Sequence, residues 1–328
     1  MTESRFLNLT KNRNVVFITV KNESYIRVTQ IKRLLEREAS LVIVYSSEKK
    51  NPVSRAIDLR KKIRNIDFSE YDVVVAGFLP QLIISSILKK ASDKTIISEM
   101  FLSMYDTVIC DRHLFRDGGL IANLMKRLDK IAIENSELVI TDTKADSDYF
   151  EKLYSADSDK FETIYLEADA NLYNPDLNEH HGDKKVLYFG TGLPLQGTDI
   201  VMDAFDRVAS LKDDVSFTYI GSTKGIPRST VKRAMSNRNI HIHKWLSQDV
   251  LAAKIAEADL CIAGHFNSYI DKADRTIPGK AFIYEAMNKP MILGDTIANR
   301  ELFTQDERHM FVKRGNAEAL AECIRKNL

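Results

Sequence analysis

With 328 residues, 44% of them hydrophobic and 28% charged, the chain has room for two domains of ordinary size; disordered and fibrous classes are excluded. Lys and Arg number 47 against 46 Asp and Glu, but residues 1–130 hold 23 against 15, which leaves 24 against 31 for the remainder. The three cysteines, Cys110, Cys261 and Cys323, are scattered and share no metal-ligand spacing, so no disulfide framework is expected and a reducing compartment is. The start, MTESRFLNLTKNR, lacks the apolar core of a secretory signal, and a cytoplasmic location follows as the expectation.

Short β-branched runs alternate with amphipathic stretches from the start of the chain. Strands are expected at 15–20, 41–45, 73–76, 95–98, 138–141 and 163–166, the pattern of a parallel α/β sheet. Residues 49–64, KKNPVSRAIDLRKKIR, supply much of the positive excess. Such a surface can hold a protein against anionic lipid or steer a phosphorylated substrate, and it equally suits a solvated helix. Aromatic residues are not interleaved with it, so no nucleic acid partner is expected. The uncharged run 73–88 is too short to span a bilayer and contains Gly77, Pro80 and Gln81.

After the strand at 95–98 comes SEMFLSMYDTVICDRHLF, in which Glu99, Tyr105, Asp106, Asp111 and Arg112 either line a site or cap a strand and open a helix. Two Asp-x-Asp triplets follow. Asp146 to Asp148 suits a helix start and Asp157 to Asp159 a polar turn, and neither ends a strand as a metal site of that spacing would. The polar stretch NLYNPDLNEHHGDKK, with Pro175 and Gly182, reads as a linker. Domains are accordingly expected at 1–172 and 173–328.

The alternation restarts with strands at 186–189, 217–220, 240–243, 260–263 and 291–293. Two doubly wound, Rossmann-like domains follow, with ligands expected beyond the carboxyl ends of the strands. The segment KKVLYFGTGLPLQGTDIVMDAF is a strand, a glycine loop and a helix. Its Gly190, Gly192 and Gly197 are wrongly spaced for a dinucleotide fingerprint, and Thr198 stands where a phosphate loop needs lysine. His241 and His243 share one face of a strand without a third ligand, so no metal and no cofactor are expected.

The segment 258–295, ADLCIAGHFNSYIDKADRTIPGKAFIYEAMNKPMILGD, reads as strand, loop, helix and strand, with Pro278 in the first turn of the helix. Free N–H groups and the positive end of the dipole gather there, flanked by Arg275 and Lys280, and make an anion site suited to a diphosphate. Glu285, two turns on, is expected on the same face, where a carboxylate can accept hydrogen bonds from a ribose diol. Solvated loop charges and an i, i+4 pair of Glu285 with Lys289 account for the same spacing.

The residues KADRTIPGKAFIYEAMNKPMILGDTIANRELF resemble the donor-binding signature of family 4 glycosyltransferases of the GT-B fold, in a subset with Arg, Ile-Pro-x-Lys, Glu-Ala-Met and Lys-Pro. Members often carry a glutamate eight positions before the second one; here that position is Ile277. The glycine loop resembles the family's as well, with Thr191 or Gly192 in place of its Arg and Gln196 in place of its Lys before Gly197. The segment from Glu99 resembles the acceptor-facing segment of the same subset. The resemblance implies two domains facing a cleft and a retaining, metal-independent transfer of a sugar from a nucleotide diphosphate to a glycan or lipid-linked acceptor, in bacterial surface polysaccharide or glycoconjugate assembly. Arg275 and Lys280 would be catalytic, and Thr191, Gly192, Gln196, Gly197, Ser222, Ile277 and Glu285 donor-binding. Glu99, Tyr105, Asp106, Asp111 and Arg112 would face the acceptor. Peripheral contact with an anionic membrane on its inner face is a further expectation. A noncatalytic subunit partnering an active transferase, and a nucleotide-sugar epimerase, are the alternatives.

Overall fold

The computed structural model describes residues 4–178, 184–212 and 214–328. The chain divides into two compact units, Met1–Glu167 and Ala168–Leu328, each built on its own six-stranded sheet. The division falls at Glu167, ahead of the 172/173 boundary drawn from the sequence. Of the expected linker, Asn174 caps a short turn at Pro175–Leu177, while residues 179–183, including Gly182, lie outside the described residues.

In chain order the first unit runs α1 (Arg5–Thr10), β1 (Asn14–Thr19), α2 (Ile26–Glu38), β2 (Leu41–Tyr45), α3 (Pro52–Asn65), β3 (Val73–Gly77) and α4 (Ile84–Ala91). It continues with β4 (Thr95–Glu99), a π-helical turn at Asp106–Asp111, α5 (Leu120–Glu134), β5 (Leu138–Thr141), α6 (Lys144–Tyr154) and β6 (Phe161–Thr163). The strands lie parallel in the order β2-β1-β3-β4-β5-β6. Because both faces of a parallel sheet are covered, the central strands are apolar along most of their length. Val16, Ile18 and Val74 pack on α3, α4 and α6 on one face, and Val15, Phe17 and Val75 pack on α1 and α2 on the other.

Helix starts follow side-chain chemistry. Asn51 Oδ1 accepts from the Ser54 N–H with Pro52 in the first turn of α3, and the Thr143 side chain accepts from Asp146 N–H at the start of α6. Asp146 and Asp148 therefore sit inside the first turns of α6, and Asp157 caps the short turn before β6.

The strand expected at 163–166 is instead Phe161–Thr163. Beyond Ile164, whose N–H still reaches Thr141, the chain leaves the ladder because α2 captures its carbonyls: Arg27 Nη1 donates to Ile164 O (2.5 Å) and Gln30 Nε2 to Tyr165 O (2.7 Å).

The second unit runs β7 (Lys184–Gly190), α7 (Thr198–Ala209), β8 (Val215–Gly221), α8 (Arg228–Ser236), β9 (Ile240–His243), α9 (Gln248–Ala256), β10 (Leu260–Gly264), α10 (Lys272–Arg275) and α11 (Gly279–Ala286). It ends with β11 (Met291–Gly294), α12 (Asn299–Leu302), β12 (His309–Val312) and α13 (Ala317–Lys326). The parallel order is β12-β11-β10-β7-β8-β9. The edge strand β12, HMFV, was not expected: four residues bounded by charges carry too little periodicity to stand out.

The charge of the first unit also differs from expectation. Residues 131–167 add 3 Lys+Arg and 10 Asp+Glu to the 23 and 15 of residues 1–130, so the unit holds 26 against 25.

Candidate functional site

The carboxyl ends of β7, β8, β10 and β12 carry the loops that gather most of the expected donor residues. After β7, Gln196 braces its own loop: its Oε1 accepts from Gly192 N–H (3.0 Å) and its Nε2 donates to Thr191 Oγ1 (3.4 Å). The glutamine thus fixes the loop from within rather than presenting its amide outward. Gly192, at φ +77°, lies against Ser222, which follows β8; a Cβ there would come 3.1 Å from the serine Cβ.

Gly197 caps α7 in the left-handed region, at φ +63°, with the backbone of Phe266 and Asn267 pressed against it; a Cβ would sit 2.7 Å from Asn267 N. Only glycine meets both demands. Gly197→Ala is expected to lower stability by about 1–2 kcal/mol, read as a lower midpoint in thermal or urea unfolding, because the loops after β7 and β10 must separate.

The loop after β10 is tied down on both sides. Phe266 N–H donates to Gln196 O (3.3 Å), Asn267 Nδ2 to Pro194 O (3.1 Å), and Arg314, following β12, donates to Asn267 O (3.0 Å) while pairing with Asp274 (3.3 Å). This packing leaves cations concentrated near His265. The His265 ring is buried, and its pKa is held well below the usual imidazole value by burial, then by the nearby charges of Lys280, Lys272 and Arg314.

Lys280, in the first turn of α11, is 5% exposed. Its ammonium lies 4.3 Å from the centre of the Tyr188 ring, and among the described residues it has no hydrogen-bond partner. Burial alone pulls its pKa from 10.5 to about 7. A buried amine with no acceptor is disfavoured in its charged form unless something anionic completes it. Pro278 caps this helix in extended conformation, one position earlier than expected, so Gly279 and Lys280 supply the first helical N–H groups. Arg275 ends α10, and Ile277 is buried between the two helices in sequence.

Glu285 is not brought to this cluster. α11 runs antiparallel to the strands, so its last turn lies at their amino ends. There Glu285 Oε2 is 2.8 Å from His309 Nε2 and 2.5 Å from Arg308 Nη2, at the first residues of β12. Two helical turns carry the side chain away from Lys280 and the start of α11 along the helix, although they keep it near the same face. The expected ribose role is therefore set aside. Nor does Glu285 pair with Lys289, whose buried ammonium donates to Ala256 O and Ala258 O. Glu285→Ala is expected to leave nucleoside diphosphate affinity unchanged in calorimetry and to lower stability by no more than about 1 kcal/mol, as for a half-exposed pair.

In the first unit, the acceptor-side candidates divide. Glu99, at the end of β4, is fully buried: its Oε1 takes Arg27 Nε at 2.6 Å and its Oε2 accepts from Phe78 N–H at 2.9 Å. Tyr105 is buried and donates to Asp117 (3.0 Å), and burial followed by that bond raises its pKa. Asp106 and Asp111 are buried in the π-helical turn, and Arg112 just beyond it is exposed. Sequence reasoning missed Asp129 of α5. Its carboxylate receives Gln81 Nε2, Ser103 Oγ, Met104 N–H, Tyr105 N–H and Tyr154 Oη at 2.7–2.9 Å, and so holds the start of this segment. His265, Lys272 and Arg314 were missed as well. The first two lie within the segment already singled out, whereas Arg314 follows the strand that went unread.

Among the described residues, no group of three or more His, Cys, Asp or Glu could hold a metal ion, and no helix is long and apolar enough to cross a membrane.

Comparison with known proteins bears on both units. Residues 183–328 match the model of the family described as glycosyl transferases group 1. No curated protein sequence matches the chain. Among solved structures, the chain is similar to Anabaena HepE in complex with UDP, at 15% identity and a TM-score of 0.65, covering 95% of this chain and 89% of that one. It is also similar to sucrose-phosphate synthase from Thermosynechococcus elongatus (12%, TM-score 0.69, 96% and 89% covered) and to a glycosyltransferase from Rickettsia africae (14%, 0.62, 96% and 88%). The two Rossmann-like units thus have the GT-B architecture, and the second of them is similar to the group 1 glycosyl transferases.

Proposed function

We propose that this chain is a glycosyltransferase that moves a sugar from a nucleoside diphosphate sugar to a glycan or lipid-linked acceptor, with retention at the anomeric carbon and without a metal ion. Assembly of a bacterial surface polysaccharide or glycoconjugate is the setting that fits the family resemblance. The observation that carries this reading is the buried amine of Lys280 at the start of α11, which has no hydrogen-bond partner among the described residues.

As the bond from the anomeric carbon to the diphosphate oxygen breaks, the electron pair leaves with the diphosphate, and its terminal phosphate gains charge. A fixed cation in a water-poor setting, together with the N–H groups of Gly279 and Lys280, stabilises that charge more than it stabilises the intact donor. Arg275 adds a second cation on the approach. The acceptor hydroxyl oxygen forms the new bond to the anomeric carbon on the face that the diphosphate leaves, and its proton passes to a departing phosphate oxygen, so no separate protein base is required. Thr191, Gly192, Gly197 and Ser222 hold the nucleotide by backbone and hydroxyl contacts, and Ile277 supplies an apolar wall. In the first unit, Tyr105, Asp106, Asp111 and Arg112 shape the acceptor side, with Glu99 acting from beneath through Arg27 and Phe78.

The test is incubation with labelled nucleotide sugars, first alone and then with lipid-linked acceptors. Release of nucleoside diphosphate that requires an acceptor supports transfer. Epimerised sugar without an acceptor would sink it, and a protein with no nucleotide affinity in calorimetry would be a noncatalytic subunit instead.

A further inference from the structure

The segment between the π-helical turn and the middle of α5 presents to water what a soluble surface ordinarily hides. Leu120 is 90% exposed and Leu114 59%, and Phe115, Ile121 and Leu124 are also open. Leu124 lies four positions after Leu120 and three after Ile121, so the three share a side of α5 away from the buried Ala122 and Asp129. Five large exposed apolar side chains thus fall within eleven positions, and exposed apolar surface gathered in this way marks a docking surface.

The charges around the patch choose its occupant. Arg112, Arg116, Arg127 and Lys130 are all exposed here. Of the two acidic residues between 112 and 130, Asp129 is buried among five donors and Asp117 is held by Tyr105 and by Lys126 at 3.9 Å. A second copy of the chain would bring cations against cations in a two-fold contact. Apolar side chains rimmed by Arg and Lys instead match a bilayer interface, where the former enter the acyl boundary and the latter meet anionic headgroups.

We infer that this face, and not the basic helix α3, docks the protein on an anionic bilayer. The patch belongs to the connection that leaves the carboxyl end of β4 and leads through the π-helical turn into α5, and sheets of this kind take their ligands at that end. Docking there would bring a lipid-linked acceptor to that edge; this purpose rests on the proposed transfer, whereas the docking itself does not.

The experiment is flotation of the full chain, without nucleotide, with vesicles of phosphatidylcholine alone or mixed with phosphatidylglycerol. The protein is expected to float with the mixed vesicles only, and Leu120→Ser/Leu124→Ser to reduce the bound fraction constant at least about tenfold while nucleoside diphosphate affinity stays unchanged. The α3 variant Val53→Ser/Ile57→Ser, which removes that helix's exposed apolar residues, should bind as the unaltered chain does. Three results would each overturn the inference: no binding to the mixed vesicles, loss only in the α3 variant, or a dimer in solution that Leu120→Ser/Leu124→Ser converts to a monomer.

Discussion

Lys280→Met is expected to weaken nucleoside diphosphate binding roughly 10- to 150-fold at pH 7, the loss of one charge-assisted contact worth about 1.5–3 kcal/mol. The same substitution should stabilise the ligand-free protein. In the unfolded chain the amine holds its proton up to about pH 10.5, while in the fold burial releases it at about 7. Between those limits the unfolded state binds the extra proton, so the contribution of Lys280 to stability rises with pH by about 1.4 kcal/mol per unit. Below pH 7 both states are protonated and the penalty is constant. Methionine keeps the packing against Tyr188 without the charge, so its unfolding free energy should exceed that of the unaltered chain most at pH 6 and least near pH 10. Opposite effects on affinity and stability separate an anion site from a structural lysine, whose loss would lower both.

Arg27→Met carries the largest expected effect on the fold, a loss of about 3–5 kcal/mol. The guanidinium and Glu99 are both fully buried, and removing one leaves the other charged and without its counter-charge in the interior. Two further contacts go with it: the hold on Ile164 O that ends β6, and the orientation of the carboxylate that accepts from Phe78 N–H. Phe78 has φ +60°, a strained conformation for an aromatic residue, and that bond helps keep it there. The double variant Arg27→Met/Glu99→Leu should recover much of the loss in urea unfolding, because no buried charge remains. If the two single losses simply added, the pair would not be coupled.

The fold was legible because parallel strands buried on both faces are short β-branched runs. Nine of these, such as 41–45 and 138–141, lie within or coincide with observed strands. Two elements were not. β6 was placed late because the apolar run continues past its end, and only the side chains of α2 decide where the ladder stops. β12 was missed because four residues between charges show no pattern, and with it went the position of Arg314.

The candidate donor site was legible in part. Local spacing located Lys280 and the start of α11 correctly with respect to each other, but it could not say that the lysine is buried without a partner. Nor could it say which end of the sheet Glu285 reaches. Helical spacing fixes a face and says little about depth along the axis, and here two turns separate the start of α11 from Glu285 and its partner His309. The acceptor-side candidates illustrate a different limit. Glu99 stands at the end of a strand, where ligand-binding residues stand, yet Arg27, far away in sequence, claims it. A carboxylate's partner across such a separation leaves no trace in local pattern.

The central claim is that an anionic diphosphate completes the buried charge of Lys280. Titration calorimetry with UDP from pH 7 to 9, in buffers of different ionisation heats, tests it directly. The terminal phosphate of UDP is still partly protonated near pH 7 and its uracil begins to ionise near pH 9, so the proton that belongs to Lys280 is read as the difference from Lys280→Met under the same conditions. Since the free amine is largely neutral above pH 7 and becomes charged when the diphosphate arrives, binding should take up close to one proton at pH 9. Affinity should also fall up to about tenfold per pH unit, and both effects should vanish in Lys280→Met. Binding with constant affinity and no buffer-dependent heat across that range would contradict the account.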